Sequence, residues 1–188
     1  YVLFNYENVP VLKDYMADRI GSWLVKDLTD TDKRWQTNHS LFALGSGGFF
    51  GSGLGNSKQK YFYVSESHTD FIFSIIGEEL GLIGCLLVLI LLAAICIRIL
   101  IIGFRSNSKL GLVICTGIFT MLVSQTIINI GMCLWLIPVI GVTLPFFSAG
   151  GTSLLCTYLG LAVVMSIKMH SDESTMHLHR KKLSMDYK

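Results

Sequence analysis

Charge is what this sequence has least of. Only 15% of its residues are Asp, Glu, Lys or Arg, while 52% are hydrophobic. That balance is too apolar for an ordinary soluble domain of this length. Between Leu110 and Ile167 there is no Asp, Glu, Lys, Arg or His at all, and the net charge of +2 gives no reason to expect a nucleic-acid partner. Proline is scarce as well, and Pro138 and Pro145, with Gly141 between them, are the breaks that divide the long uncharged stretch. The five cysteines, Cys85, Cys96, Cys115, Cys133 and Cys156, all fall in apolar runs without metal-ligand spacing. They read as packing residues rather than disulfides or ligands. Neither an initiating Met nor a signal peptide opens the chain, so preceding membrane helices are expected to carry the first segment outside.

What is present is a set of membrane spans. The run from Leu80 to Ile97 is uncharged, flanked by Glu78-Glu79 and by Arg98, and about as long as a bilayer core requires. Two more helices are expected after it, giving spans over about 71–103, 110–135 and 152–168 with a Pro/Gly hairpin over 136–151. Arg98, Arg105 and Lys109 surround the first short connection, and Lys168, Arg180, Lys181 and Lys182 follow the last span. Both regions are therefore expected in the cytoplasm, with residues 1–69 outside and 170–188 as a cytoplasmic tail. The fold class expected is an all-α polytopic membrane protein.

In the outer segment, Leu12, Tyr15, Met16, Ile20, Trp23 and Leu24 recur at helical spacing and predict an amphipathic helix. From Leu44 to Ser57 the chain is rich in glycine, a pattern that lets backbone approach a ligand and offers N–H groups to an anion. It lacks the Lys-Ser/Thr ending of a Walker loop, but Lys58 and Lys60 follow at once, and loop and cations together could hold a diphosphate. Then Glu66-Ser67-His68-Thr69-Asp70 runs into the apolar Phe71-Ile72-Phe73. An aspartate at the mouth of a span can face an aqueous cleft and a lipid-borne substrate together. Thr69 or Asp70 capping the following helix is the plainer alternative.

Polar residues inside the spans are few. Gly77, Gly81 and Gly84 would let another helix approach closely. Glu78 and Glu79 point about 100° apart on a helix, so at least one must face protein or water, most simply as a structural pair with a cation. Gln125 and Asn129 share a face and should look inward. The connection from Leu136 to Ser153 is apolar yet full of helix breakers, and irregular backbone at membrane depth survives only when buried in protein or lining a wet cavity. Ser148, Gly150, Gly151, Thr152 and Ser153 would then start the last helix with free N–H groups aimed at that cleft.

Taken together, Gly53-Leu54-Gly55-Asn56-Ser57-Lys58-Gln59-Lys60, Glu66-Ser67-His68-Thr69-Asp70-Phe71-Ile72-Phe73, Gly77-Glu78-Glu79-Leu80-Gly81, Asn129-Ile130-Gly131-Met132, and Leu144-Pro145-Phe146 with Ser148 and Gly150-Gly151 resemble the SEDS family of FtsW, RodA and SpoVE proteins. The resemblance implies the large extracellular loop and last three helices of a ten-helix SEDS fold in the bacterial plasma membrane. It implies a peptidoglycan glycosyltransferase that polymerises lipid II into glycan strands beside a class B penicillin-binding protein. The family's essential aspartate falls on Asp70, as general base of an inverting transfer. Lys58, Gln59, Lys60, Glu66, His68, Thr69, Ser148, Gly150 and Gly151 are the candidate substrate contacts, and Glu78, Glu79, Gln125 and Asn129 the structural polar set.

The chain departs from the family pattern in places: Ser65 stands for a proline, Arg34-Trp35-Gln36 for Gly-Tyr-Gln, His39 for a glutamine, Trp135 for a glycine and Ala149 for a tyrosine. Gln59-Lys60 and Thr143-Leu144-Pro145-Phe146 lean toward the division or sporulation branch. A divalent cation, Mg or Mn, or the lysines could stabilise the leaving diphosphate, and no organic cofactor is expected. Two other functions fit the residues: a flippase for lipid-linked precursor, and a non-catalytic scaffold for the penicillin-binding protein. Alone, residues 1–188 are expected to be inactive.

Overall fold

The computed structural model describes residues 31–57, 69–106 and 108–186, with side chains over 38–57, 69–106 and 108–171. The amphipathic segment Leu12–Leu24 lies outside them. Four helices follow in order: α1 (Thr31–Gly47), α2 (Ile72–Arg105), α3 (Lys109–Cys133) and α4 (Gly151–Asp186). Among the described residues there is no strand. Three segments are long and apolar enough to cross a membrane: Ile72–Arg105, Lys109–Cys133 and Gly151–Ser171. Leu86, Leu87, Ile90, Val113, Ile127, Leu155 and Leu159 are large apolar side chains exposed on them. Such surfaces suit lipid.

The chain divides into two compact units, Tyr1–Val88 with Gln125–Ala149, and Leu89–Ser124 with Gly150–Lys188. In the second unit, Ser108 caps α3 by accepting the Gly111 N–H at 2.9 Å. Gly103 packs beside Cys115, and Gly111 beside Ile167, so small residues let neighbouring helices close up. Leu92, Cys96, Ile99, Cys115, Leu122 and Val164 form its buried core. The cysteines are all free thiols, four of them buried and Cys156 exposed. α4 runs on to Asp186, past the 168 at which the sequence suggested a tail. No Gly or Pro occurs after Gly160 to stop it.

The first unit is built around a break in α2. Gly81 adopts φ +69°, a left-handed conformation inside the helix. Two helical hydrogen bonds that would join Leu82 and Ile83 to Glu78 and Glu79 are replaced by bonds to the chain after α1. Ser52 N donates to Glu78 O at 2.9 Å and Gly53 N to Glu79 O at 3.0 Å. Leu82 N donates to Gly48 O at 2.9 Å and Ile83 N to Phe49 O at 3.3 Å. Ser52 Oγ adds a further bond to Glu78 O at 3.0 Å. These four backbone groups at the break are thus met by the loop, as a membrane-depth interruption requires.

This corrects the reading of the glycine-rich stretch as an anion cradle. Its N–H groups at Ser52 and Gly53 are engaged by α2, and that of Gly51 donates to Gly47 O at 2.7 Å. Gly45 and Gly47 end α1 rather than belonging to the loop. Gly81, expected as a helix-approach surface, is the break itself; Gly77 does admit a neighbour, since a side chain on Gly47 would strike its carbonyl. On the same side of α1, Ser40 and Ser74 share a hydrogen bond of 2.6 Å between buried hydroxyls.

Candidate functional site

α3 ends in a Schellman motif. Leu136 N donates to Gly131 O at 2.8 Å and Trp135 N to Met132 O at 3.1 Å, with Trp135 at φ +57°. That is the position where glycine is usual, because a Cβ there costs about 1–2 kcal/mol. A glycine at this position, as the resemblance leads one to expect, would have a conformational reason. The chain then forms an irregular hairpin, 134–149, in which Ile140 N donates to the Met132 thioether at 3.0 Å. Gly141 takes φ +79° and Phe146 φ +67°.

Against this hairpin lies the turn that precedes α2. Thr69 and Asp70 are half-buried, and Phe71 O accepts the Ser74 and Ile75 N–H groups that open the helix. The Asp70 backbone is held from α3: Asn129 Nδ2 donates to Asp70 O at 2.9 Å, and Cys133 Sγ approaches the same oxygen at 3.8 Å. The second hydrogen of the Asn129 amide goes to Val142 O at 2.7 Å. One residue back, Ser148 Oγ donates to Thr69 O at 2.6 Å and accepts the Leu144 N–H at 2.7 Å. Two buried polar side chains therefore tie the Thr69-Asp70 peptide to the hairpin, while Oδ2 of Asp70 lies beside Gly141, 3.3 Å from where a Cβ would stand.

The arrangement keeps a half-exposed carboxylate on a fixed backbone, at the start of a membrane span and beside a wall of bare backbone. A carboxylate so placed can accept a proton from a hydroxyl brought to it. Asn129 is fully buried, as expected of an inward-facing residue. Ser148, expected among the substrate contacts, is instead 3% exposed with both hydroxyl bonds internal. It positions the Asp70 segment. Gly150 and Gly151 belong to the other unit, where Gly150 O accepts the Leu154 N–H at 2.9 Å as α4 begins.

Glu78 is 4% exposed and accepts a hydrogen bond at 2.5 Å from Oγ of Ser57, the last residue of the glycine-rich stretch. Glu79 Oε1 and Gln125 Oε1 are buried with no hydrogen-bond partner among the described residues, and each needs a donor from elsewhere in the protein. Lys58, Gln59, Lys60, Glu66 and His68 lie outside the described residues. Among the described residues no group of three or more His, Cys, Asp or Glu could hold a metal ion. Sequence reasoning missed Gly141, Cys133 and the Ser40–Ser74 pair as parts of this region. Gly141 was legible only as a helix breaker, and Cys133 only as apolar packing.

Comparison with known proteins agrees with this architecture. The family model FTSW_RODA_SPOVE, described as cell cycle protein, matches residues 2–173. Stage V sporulation protein E of Bacillus subtilis is 41% identical over 157 residues, covering 84% of this chain and 43% of that protein. The probable peptidoglycan glycosyltransferase FtsW of Coxiella burnetii is 42% identical over 165 residues, covering 86% and 44%. A solved structure described as "Structural coordination of polymerization and crosslinking by a peptidoglycan synthase complex" aligns with TM-score 0.62 at 28% identity, over 87% of this chain and 44% of that one. The chain thus spans less than half the length of the relatives it matches.

Proposed function

The chain belongs to the FtsW, RodA and SpoVE family of cell cycle proteins, and on that premise we propose that it forms the catalytic part of a peptidoglycan glycosyltransferase acting on lipid II. The observation that carries the reading is the placement of Asp70, whose carboxylate stands beside Gly141 at the start of α2. In the proposed step, Asp70 takes the proton from an acceptor sugar hydroxyl as that oxygen attacks the anomeric carbon of the donor. The glycosidic bond forms, the bond to the diphosphate breaks, and undecaprenyl diphosphate leaves with the electron pair. Inversion follows from a single displacement.

Stabilisation of the departing diphosphate falls to Lys58 and Lys60 in this reading. A divalent cation, Mg or Mn, is the alternative stabiliser of that charge. A class B penicillin-binding protein is the proposed partner, consistent with the synthase complex that the chain resembles.

Transport of the lipid-linked precursor is the second reading. The interrupted α2, with Glu78 and Glu79 beside its break, is the feature that favours it. The two separate in detergent, where there is no bilayer to cross. Full-length protein with its partner should convert purified lipid II in micelles to glycan strands. Flipping of lipid II in vesicles without any polymer in micelles would overturn the polymerase reading.

A further inference from the structure

Two side chains that the reaction itself does not use hold the backbone at Thr69 and Asp70. Asn129 is fully buried, and the two hydrogens of its amide bridge Asp70 O at 2.9 Å and Val142 O at 2.7 Å. An amide has two donor hydrogens, so both are committed to carbonyls from segments that lie 72 positions apart in sequence, 142 less 70. Its Oδ1 is in turn approached by Cys133 Sγ at 4.0 Å. Ser148 makes a second bridge of the same kind, joining Thr69 O to the Leu144 N–H. The bridges join the residue pair 69–70 on one side to the irregular hairpin around Gly141 on the other.

We propose that Asn129 is a positioning residue for the transfer: by joining the Asp70 and Val142 carbonyls, it fixes where the Asp70 carboxylate stands beside Gly141 to receive the proton of the acceptor hydroxyl. Ser148 fixes the same position from the neighbouring peptide. The inference rests on the reading of Asp70 as the base. If Asn129 only joined helices, its loss would lower the amount of folded protein and leave the turnover of each folded molecule unchanged. A positioning residue behaves otherwise, because a displacement of about 1 Å at a reacting group costs as much as 100-fold in rate while substrate binding persists.

The test uses full-length protein with its partner and purified lipid II, comparing wild type, Asn129→Leu, Ser148→Ala, the double variant and Asp70→Asn. Each rate is normalised to folded, monodisperse protein. Asn129→Leu is expected to lower kcat at least about 10-fold with KM within about twofold. Ser148→Ala should act in the same direction, and the double variant should lose less than the product of the two, since both bridges hold one segment. Should Asn129→Leu not fold, Ser148→Ala carries the test by the same split between kcat and KM. Unchanged kcat in the folded variants, or a rise in KM alone, overturns the inference. Full activity of Asp70→Asn would instead overturn the reading beneath it, and the two failures are distinguishable.

Discussion

Oδ2 of Asp70 and the backbone of Gly141 stand so close that a Cβ on the glycine would lie 3.3 Å from the carboxylate oxygen. Gly141 also holds φ +79°, where an L side chain is strained. Gly141→Ala is therefore expected to cost about 1 kcal/mol in stability from the backbone alone. It should also lower lipid II polymerisation several-fold by pushing the carboxylate aside. A thermal melt in detergent and a polymerisation assay on full-length protein read the two effects, and wild-type turnover would show that the approach of Gly141 to the carboxylate has no part in the reaction.

Gly81 carries the break in α2, and a side chain there would collide with Gly51 N and the Phe49 carbonyl group. Gly81→Ala should expel the loop 48–53 and leave the backbone groups of Glu78, Glu79, Leu82 and Ile83 without their present partners. Each buried group left so costs on the order of 1–3 kcal/mol, and restored helical bonds would offset only part of this. Faster amide exchange at residues 48–57 and a lower melting temperature are the expected outcomes. Unaltered exchange would mean that the loop does not depend on the break.

How much of this was legible before the structure depends on which force fixes each feature. The spans were, because a bilayer demands apolar length and the uncharged runs from Leu80 and from Leu110 supply it. The break at Gly81 was not, because hydropathy continues through it and only the partner loop gives the interruption its hydrogen bonds. α1 was overlooked for a related reason: glycines at 45 and 47 suggested a loop, yet Gly47 is required by its packing against Gly77. Asp70 could be singled out as a charge at a membrane boundary. Its anchoring by Asn129 and Ser148 could not, since contacts between residues 59 and 79 positions apart leave no local trace.

Ser57 donates to Glu78 Oε2 at 2.5 Å in a buried setting. Ser57→Ala removes that donor and is expected to lower stability by about 1–3 kcal/mol, visible as a reduced melting temperature of the detergent-solubilised protein. Polymerisation per folded molecule should hold near the wild-type level, because the pair acts at the α2 break rather than at Asp70. An unchanged melting temperature would show that the Ser57 bond contributes nothing measurable.

Ser40 joins α1 to the start of α2 through Ser74 and donates to Cys133 O at 3.2 Å. Replacing it with alanine removes a small buried bridge rather than a charge. The expected cost is about 1 kcal/mol, measured by the same melt, and a loss several times larger would point to a role beyond packing.

The account as a whole turns on whether Asp70 performs proton transfer, and one comparison bears on that directly. Full-length wild type and Asp70→Asn, each with its partner and at equal folded abundance, are given purified lipid II, and the glycan strands formed are resolved by length. The account predicts that Asp70→Asn forms no strands while still binding lipid II, because the amide keeps the shape and loses the base. Strands formed at the wild-type rate would contradict it.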